Sequence, residues 1–195
     1  VREQRAADGE RTGADPCCCG ALGEHRPPTG RPRPSPGAAE TPAPPSKPPS
    51  ELLLAEGVAF VLDWQNSTAK LVATEKCEKR VGDDTAAVAQ CVESERGKFA
   101  ADVLRFRKIG GQLRWTIYKR NGSQLQVVYS VPILFADETD YSVSLQLQGK
   151  GNGYPPIMSQ ERTVPITFPS EYSIELNDPI WGTLIYSSKR GIVND

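Results

Sequence analysis

Five cysteines and one histidine are the residues of this 195-residue chain whose types could carry nucleophilic, redox or metal chemistry. Their spacing argues against most of it. A cysteine nucleophile needs a base within hydrogen-bond reach, normally a histidine. His25 sits in a stretch too rich in Pro, Gly, Ala and Arg to bury a core. Neither a catalytic cysteine nor a Ser-His-Asp constellation is therefore expected. Cys17, Cys18 and Cys19 near His25 look like a metal cluster by composition. Adjacent cysteines converge poorly on one tetrahedral ion, and structural zinc sites use C-x2-4-C pairs. The triplet reads as oxidisable thiols in an unstructured tail, with no metal.

Cys77 and Cys91 are more informative. On one continuous helix they would stand about 21 Å apart, far beyond the roughly 7 Å that a disulfide spans. In a helical hairpin turning near Gly82–Asp84 they come level, because Asp84 is their midpoint. A disulfide is expected there. Two buried thiols at a helix contact remain the alternative. A bridge would point to an oxidising compartment.

Other groups are weaker. Gly149–Gly153 (G-K-G-N-G) has the composition of a phosphate loop but not the spacing of G-x-x-x-x-G-K-[ST]. Asp137, Glu138 and Asp140 lack the calcium-loop pattern and read as a solvated turn. Glu171 and Glu175 fall on one face of an expected strand, pointing outward; paired carboxylates of a hydrolase can be distant in sequence. Trp115, Tyr129 and Tyr141 are candidates to line a ligand cavity, with core filling as the plainer use. Arg105, Arg107, Arg114, Lys119 and Arg120 form a basic stripe over neighbouring strands, which suits an anionic partner or simply a solvated face. No catalytic, metal or cofactor-binding residue is assigned.

The elements that must position these groups follow from periodicity. Thirty of the first fifty residues are Arg, Ala, Gly or Pro, so 1–50 reads as a disordered, proline-rich tail. Such a composition is also what translation from a wrongly assigned start would produce. In that case a periplasmic or secreted location is favoured; otherwise the chain is cytoplasmic. Residues 51–195 read as one folded domain, with 51–100 mainly helical and 101–190 β-rich. Leu52–Asp63 is apolar and too short for periodicity to choose helix or strand. Asn66–Thr68 caps a helix over Ala69–Arg80, and Asp83–Thr85 caps a second over Ala86–Ala100.

From Val103 onward the period is two. Leu104 and Phe106 face inward, then Leu113, Trp115 and Ile117, then Leu125, Val127, Tyr129 and Val131. Asn121-Gly122 marks a tight hairpin. Pro132 suggests a bulge or a sheet edge, and Val164–Phe168 an edge strand. Tyr141–Leu147, Tyr172–Leu176 and Ile180–Tyr186 complete the count. The expected fold is α+β: a helical hairpin followed by a six- or seven-stranded antiparallel β meander, as a curved sheet or small barrel.

The formal charge is -1, with about +1 in the first fifty residues and -2 in the rest, so nucleic acid is not an expected partner. No run of eighteen apolar residues exists to span a membrane. The function expected is a non-enzymatic, extracytoplasmic binding module for an unknown protein or small apolar ligand. The alternatives are a histidine-independent hydrolase with paired carboxylates and a lipophilic-ligand carrier with a β-barrel cavity.

Overall fold

The computed structural model describes residues 45–150 and 155–193. Residues 1–44 of the expected tail, with Cys17–Cys19 and His25, lie outside the described residues, as do Gly151 and Gly153. Eight antiparallel strands close into a barrel in simple sequence order. They are β1 (Val58–Leu62), β2 (Val103–Ile109), β3 (Gln112–Asn121), β4 (Gln124–Glu138), β5 (Ser142–Leu147), β6 (Thr163–Ser170), β7 (Ser173–Asp178) and β8 (Gly182–Arg190). Helix α1 (Pro49–Leu53) precedes β1, and α4 (Ile157–Gln160) lies between β5 and β6. Helices α2 (Thr68–Val81) and α3 (Thr85–Phe99) form a hairpin inserted between β1 and β2.

Two expectations are corrected here. The barrel has eight strands, because the ambiguous apolar run contributes β1. The hairpin therefore interrupts the β structure and does not precede it. The signal was hidden because β1 is buried on both sides: Phe60 points into the barrel, while Ala59 packs outside against Val103 and Tyr118. Burial on both faces erases the alternation that identifies a strand.

Closure happens between β1 and β8, over five residue pairs from Val58↔Arg190 to Leu62↔Tyr186. β1 is shorter than β8, and two hydroxyls continue the seam where it stops. Asp63 donates its amide to Ile185 O (2.8 Å). Ser67 Oγ accepts the Ile185 amide (2.9 Å) and donates to Asp63 O (2.7 Å). Thr68 Oγ1 accepts the Thr183 amide (2.8 Å). Ser67 is the N-cap of α2 but makes no side-chain cap bond, its hydroxyl being spent on the seam. In contrast, Asp84 caps α3 in the expected way, accepting from the Ala86 and Ala87 amides.

A closed barrel has no edges, so the three strand prolines, Pro132 on β4 and Pro165 and Pro169 on β6, need another explanation. The Leu147 amide donates to Arg162 O, which makes 145/164 and 143/166 the hydrogen-bonded pairs of β5 and β6. Pro165 thus turns its nitrogen away from β5, toward the side where the β7 register begins only at Thr167. Pro132 stands opposite Gln148, one residue past the end of β5, and its carbonyl accepts the Gln148 amide. Pro132 and Pro165 sit where a ladder ends, and Pro169 lies within the β6–β7 register shift between Thr167 and Ser170, so each forfeits little.

Every strand sends apolar side chains inward, from Phe60 on β1 through Phe106, Trp115, Ile133, Leu145, Ile166 and Leu176 to Leu184 on β8. Leu53 of α1 is fully buried at one end, where α1 packs against β2, β4 and β5. At the other end Phe99 of α3 stacks on Trp181 (3.9 Å between centroids) and tilts against Trp64 (5.7 Å). Ile157 and Met158 of α4 are buried in the same core.

One bulge changes a face. The β3–β4 register shifts between Ile117↔Tyr129 and Tyr118↔Val127, leaving Val128 as the extra residue. Tyr129 stays on the inward side of Ile117, but Val127 and Leu125 pair with outward residues of β3. The expectation that Leu125 and Val127 face the interior is therefore corrected: Val127 is 58% exposed, and Leu125 packs with the outer cluster of Ala59, Val103 and Tyr118.

Gly182 begins β8 at φ +82°, and a Cβ there would meet Thr68 Oγ1 at 2.8 Å. Gly182→Ala should cost about 1–3 kcal/mol from the left-handed backbone alone, with the seam hydroxyl displaced as well. Urea unfolding checks this: the midpoint should fall at unchanged slope. An unchanged midpoint would show that the Thr68 hydroxyl does not hold the seam.

Candidate functional site

Three regions carry the polar and aromatic groups a function would use: the barrel interior, the helical cap and the outer wall. The interior contains Trp115, fully buried and 5.4 Å from Phe106 between ring centroids. Trp115 Nε1 and Tyr186 Oη are buried without a hydrogen-bond partner of good geometry among the described residues. Burial first, and then the Asp102 carboxylate, push the Tyr186 hydroxyl far above the ordinary tyrosine range; the Ala101 backbone offsets part of this. Tyr186 therefore stays protonated and is a donor.

The other two aromatic candidates do not join Trp115. Tyr129 is half-buried beside the end of β5, where its hydroxyl donates to Lys150 O. Tyr141 lies in the β4–β5 turn at the opposite end and is 37% exposed. Period-two parity places all three on inward-facing positions. Which end of the barrel each occupies depends on strand lengths, which parity does not encode.

The cap is held by the expected bridge. Cys77 and Cys91 form a disulfide with 5.8 Å between Cα atoms, joining α2 to α3. Arg80 donates to Glu95 at 3.0 Å, and its second nitrogen lies 2.7 Å from Cys91 Sγ. The Lys98 hydrogen bond, against an opposing desolvation and with help from Arg80, holds the Glu95 carboxyl below the usual glutamate range. That contribution to stability is present above the ordinary glutamate pKa and is lost as pH falls through the lowered one. Lys76 Nζ sits 3.6 Å above the Trp181 ring, completing a cap of α2, α3 and the β7–β8 turn.

Four further carboxylates hold parts of this structure together. Asp178 is buried and accepts the amides of Ile157 (2.9 Å), Ile180 (2.9 Å) and Trp181 (3.0 Å), tying α4 and the β7–β8 turn together. Asp102 pairs with Arg96 and accepts the Arg120 amide. Glu138 accepts from the Ser50 amide and hydroxyl, and Glu171 from the Ser46 amide. Glu171 lies in the β6–β7 turn, so it does not share a strand face with Glu175 on β7. Among the described residues no group of three or more His, Cys, Asp or Glu side chains is placed to hold a metal. No helix there is long and apolar enough to cross a membrane.

The outer wall was legible only as a stripe. Closure places β8 beside β1, so four adjacent strands, β8-β1-β2-β3, form one continuous surface. They carry eight Lys or Arg (three on β2, three on β3, two on β8) and no Asp or Glu. Arg107 stands directly across from Arg114. Arg114 is satisfied by neutral acceptors, Ser130 Oγ (3.0 Å), Ser130 O (2.8 Å) and Gln112 Oε1 (3.1 Å). Burial first lowers the Lys119 pKa below the ordinary lysine value, with Asp102 opposing and Arg96 assisting.

No protein-family profile matches the chain, and neither does any curated protein or solved structure.

The bridge is the site residue pair with the plainest consequence. Replacing both cysteines with alanine should destabilise the protein by about 3 kcal/mol, the entropy of a loop of this size. Thermal unfolding of the double variant beside the oxidised parent measures it. Equal stability would mean that the packing of α2 on α3 suffices without the bond.

Proposed function

We propose that the chain is a non-enzymatic binding module that works through its outer surface, with the barrel as a scaffold. The observation that carries this reading is the filled interior. Side chains from every strand are buried there, and Leu53 and the Trp64–Phe99–Trp181 group close the two ends. An eight-stranded barrel is just wide enough for side chains to fill it, or to hold one small ligand. The carboxylates at Asp178, Asp102 and Glu138 satisfy backbone or cationic partners, which supports a structural use over general acid–base work. The disulfide supports an oxidising, extracytoplasmic setting.

A second reading, the lipophilic-ligand carrier, is favoured by one observation. Trp115 Nε1 and Tyr186 Oη are interior donors with no acceptor among the described residues. An orphaned buried donor costs about 1–3 kcal/mol, and a ligand oxygen inside the barrel would recover it.

A titration with a fluorescent fatty-acid analogue, followed by tryptophan quenching, separates the two. The outer-surface module should show no saturable uptake. Stoichiometric uptake, with quenching abolished in Trp115→Phe, would establish the carrier and overturn the first reading.

A further inference from the structure

The α2–α3 hairpin carries a groove of its own. Cys77 and Cys91 tie the two helices together in the core. At 3.6 residues per turn, the residues three before and one after each cysteine share one flank of its helix. They are Thr74 and Glu78 on α2, and Val88 and Val92 on α3. These four line a groove of about 580 Å³ between the helices. Val88, Val92 and Trp64 form an apolar floor seated on the core cluster, and Ala89 lies exposed beside them. The bridge fixes the spacing of the walls, so the groove is formed before any partner arrives.

The rim is acidic. Glu78, Asp83 and Glu93 border the groove, against one cation, Lys70. Lys70 donates to Gln65 Oε1 at the Trp64 end, and Arg96 takes Glu93. Thr74 Oγ1 donates to Lys70 O (2.9 Å), so its hydroxyl is spent. Glu78 and Asp83 are exposed, and no cation among the described residues pairs with either. Two turns of α2, about 12 Å, separate Lys70 from Glu78. One end of the groove therefore offers an indole and an aliphatic floor, and the other offers two unpaired carboxylates.

We infer that this groove holds an amphipathic basic helix of a partner protein, lying between α2 and α3 as a third helix, with an aliphatic side chain on Val88 and Val92 and a lysine or arginine at Glu78 and Asp83. The inference rests on the outer-surface reading above and names the partner's chemistry. Two helices side by side present the trough into which a third packs. The unpaired carboxylates select against an anionic membrane surface and against nucleic acid, since both bring phosphate to the rim.

The test is fluorescence anisotropy with a fluorescein-labelled helical peptide, lysines along one face and leucines along the other, added to the full chain at low and at high salt. Binding should saturate, and should weaken as salt rises. Glu78→Lys and Asp83→Lys should each weaken it about tenfold or more, the scale of one reversed charge pair. Ala89→Gln, which lays a polar chain over the floor, should weaken it severalfold at both salt concentrations. Asp140→Lys makes the same charge change in the exposed β4–β5 turn, at the far end of the barrel, and should leave binding unchanged. Absence of binding, or groove variants that bind like Asp140→Lys, overturns the inference. Spermine that displaces the peptide, with an affinity unaffected by Ala89→Gln, would assign the rim to a small polycation and overturn it too. These failures leave the outer-surface reading standing, whereas stoichiometric fatty-acid uptake would remove that reading itself.

Discussion

The β1–β8 seam is the constraint on which the rest of this molecule depends. Strands β2 to β8 alone would make an open sheet with two edges, each a row of unpaired backbone groups. The short β1 removes both edges at once by pairing with β2 and β8. Its pairing with β2 is only two residues long, so most of the closure lies on β8. The Ser67 and Thr68 hydroxyls then satisfy two further β8 amides. A buried amide left unpaired costs more than a typical hydrogen bond contributes, so these hydroxyls matter for what they prevent.

The same seam explains where the helices go. The chain leaves β1 at the end of the barrel and must return there to begin β2. The α2–α3 hairpin makes that excursion and brings Phe99 back over the opening, against Trp181 and Trp64. At the other end α1 does the matching work with Leu53, one turn before β1 begins. Cap, plug and seam are thus consecutive in sequence, from Pro49 to Phe99.

Much of this was legible in the sequence. Strands β2 to β8 show period-two alternation or turn chemistry, and Asn121-Gly122 does turn with Gly122 at φ +60°. The cysteine spacing was sufficient to expect the bridge. Three things were hidden, each for a physical reason. β1 lacks alternation because both of its faces are buried. The β4 bulge is signalled only by the doublet Val127-Val128, which an alternating reading absorbs as noise. The basic wall depends on closure, since β8 becomes the neighbour of β1 only in three dimensions.

The disulfide and the seam differ in how far they reach along the chain. The seam joins Val58 to Arg190, nearly the full span of the described residues. The bridge joins residues 14 apart within one hairpin and asks nothing of β2 to β8. During synthesis the two therefore belong to different moments. The hairpin can be covalently locked while most strands are still unmade, but the barrel cannot shut until its last strand has emerged. Until then β1 waits with one side unpaired, beside a hairpin that is already locked but still lacks Trp181 to complete the cap.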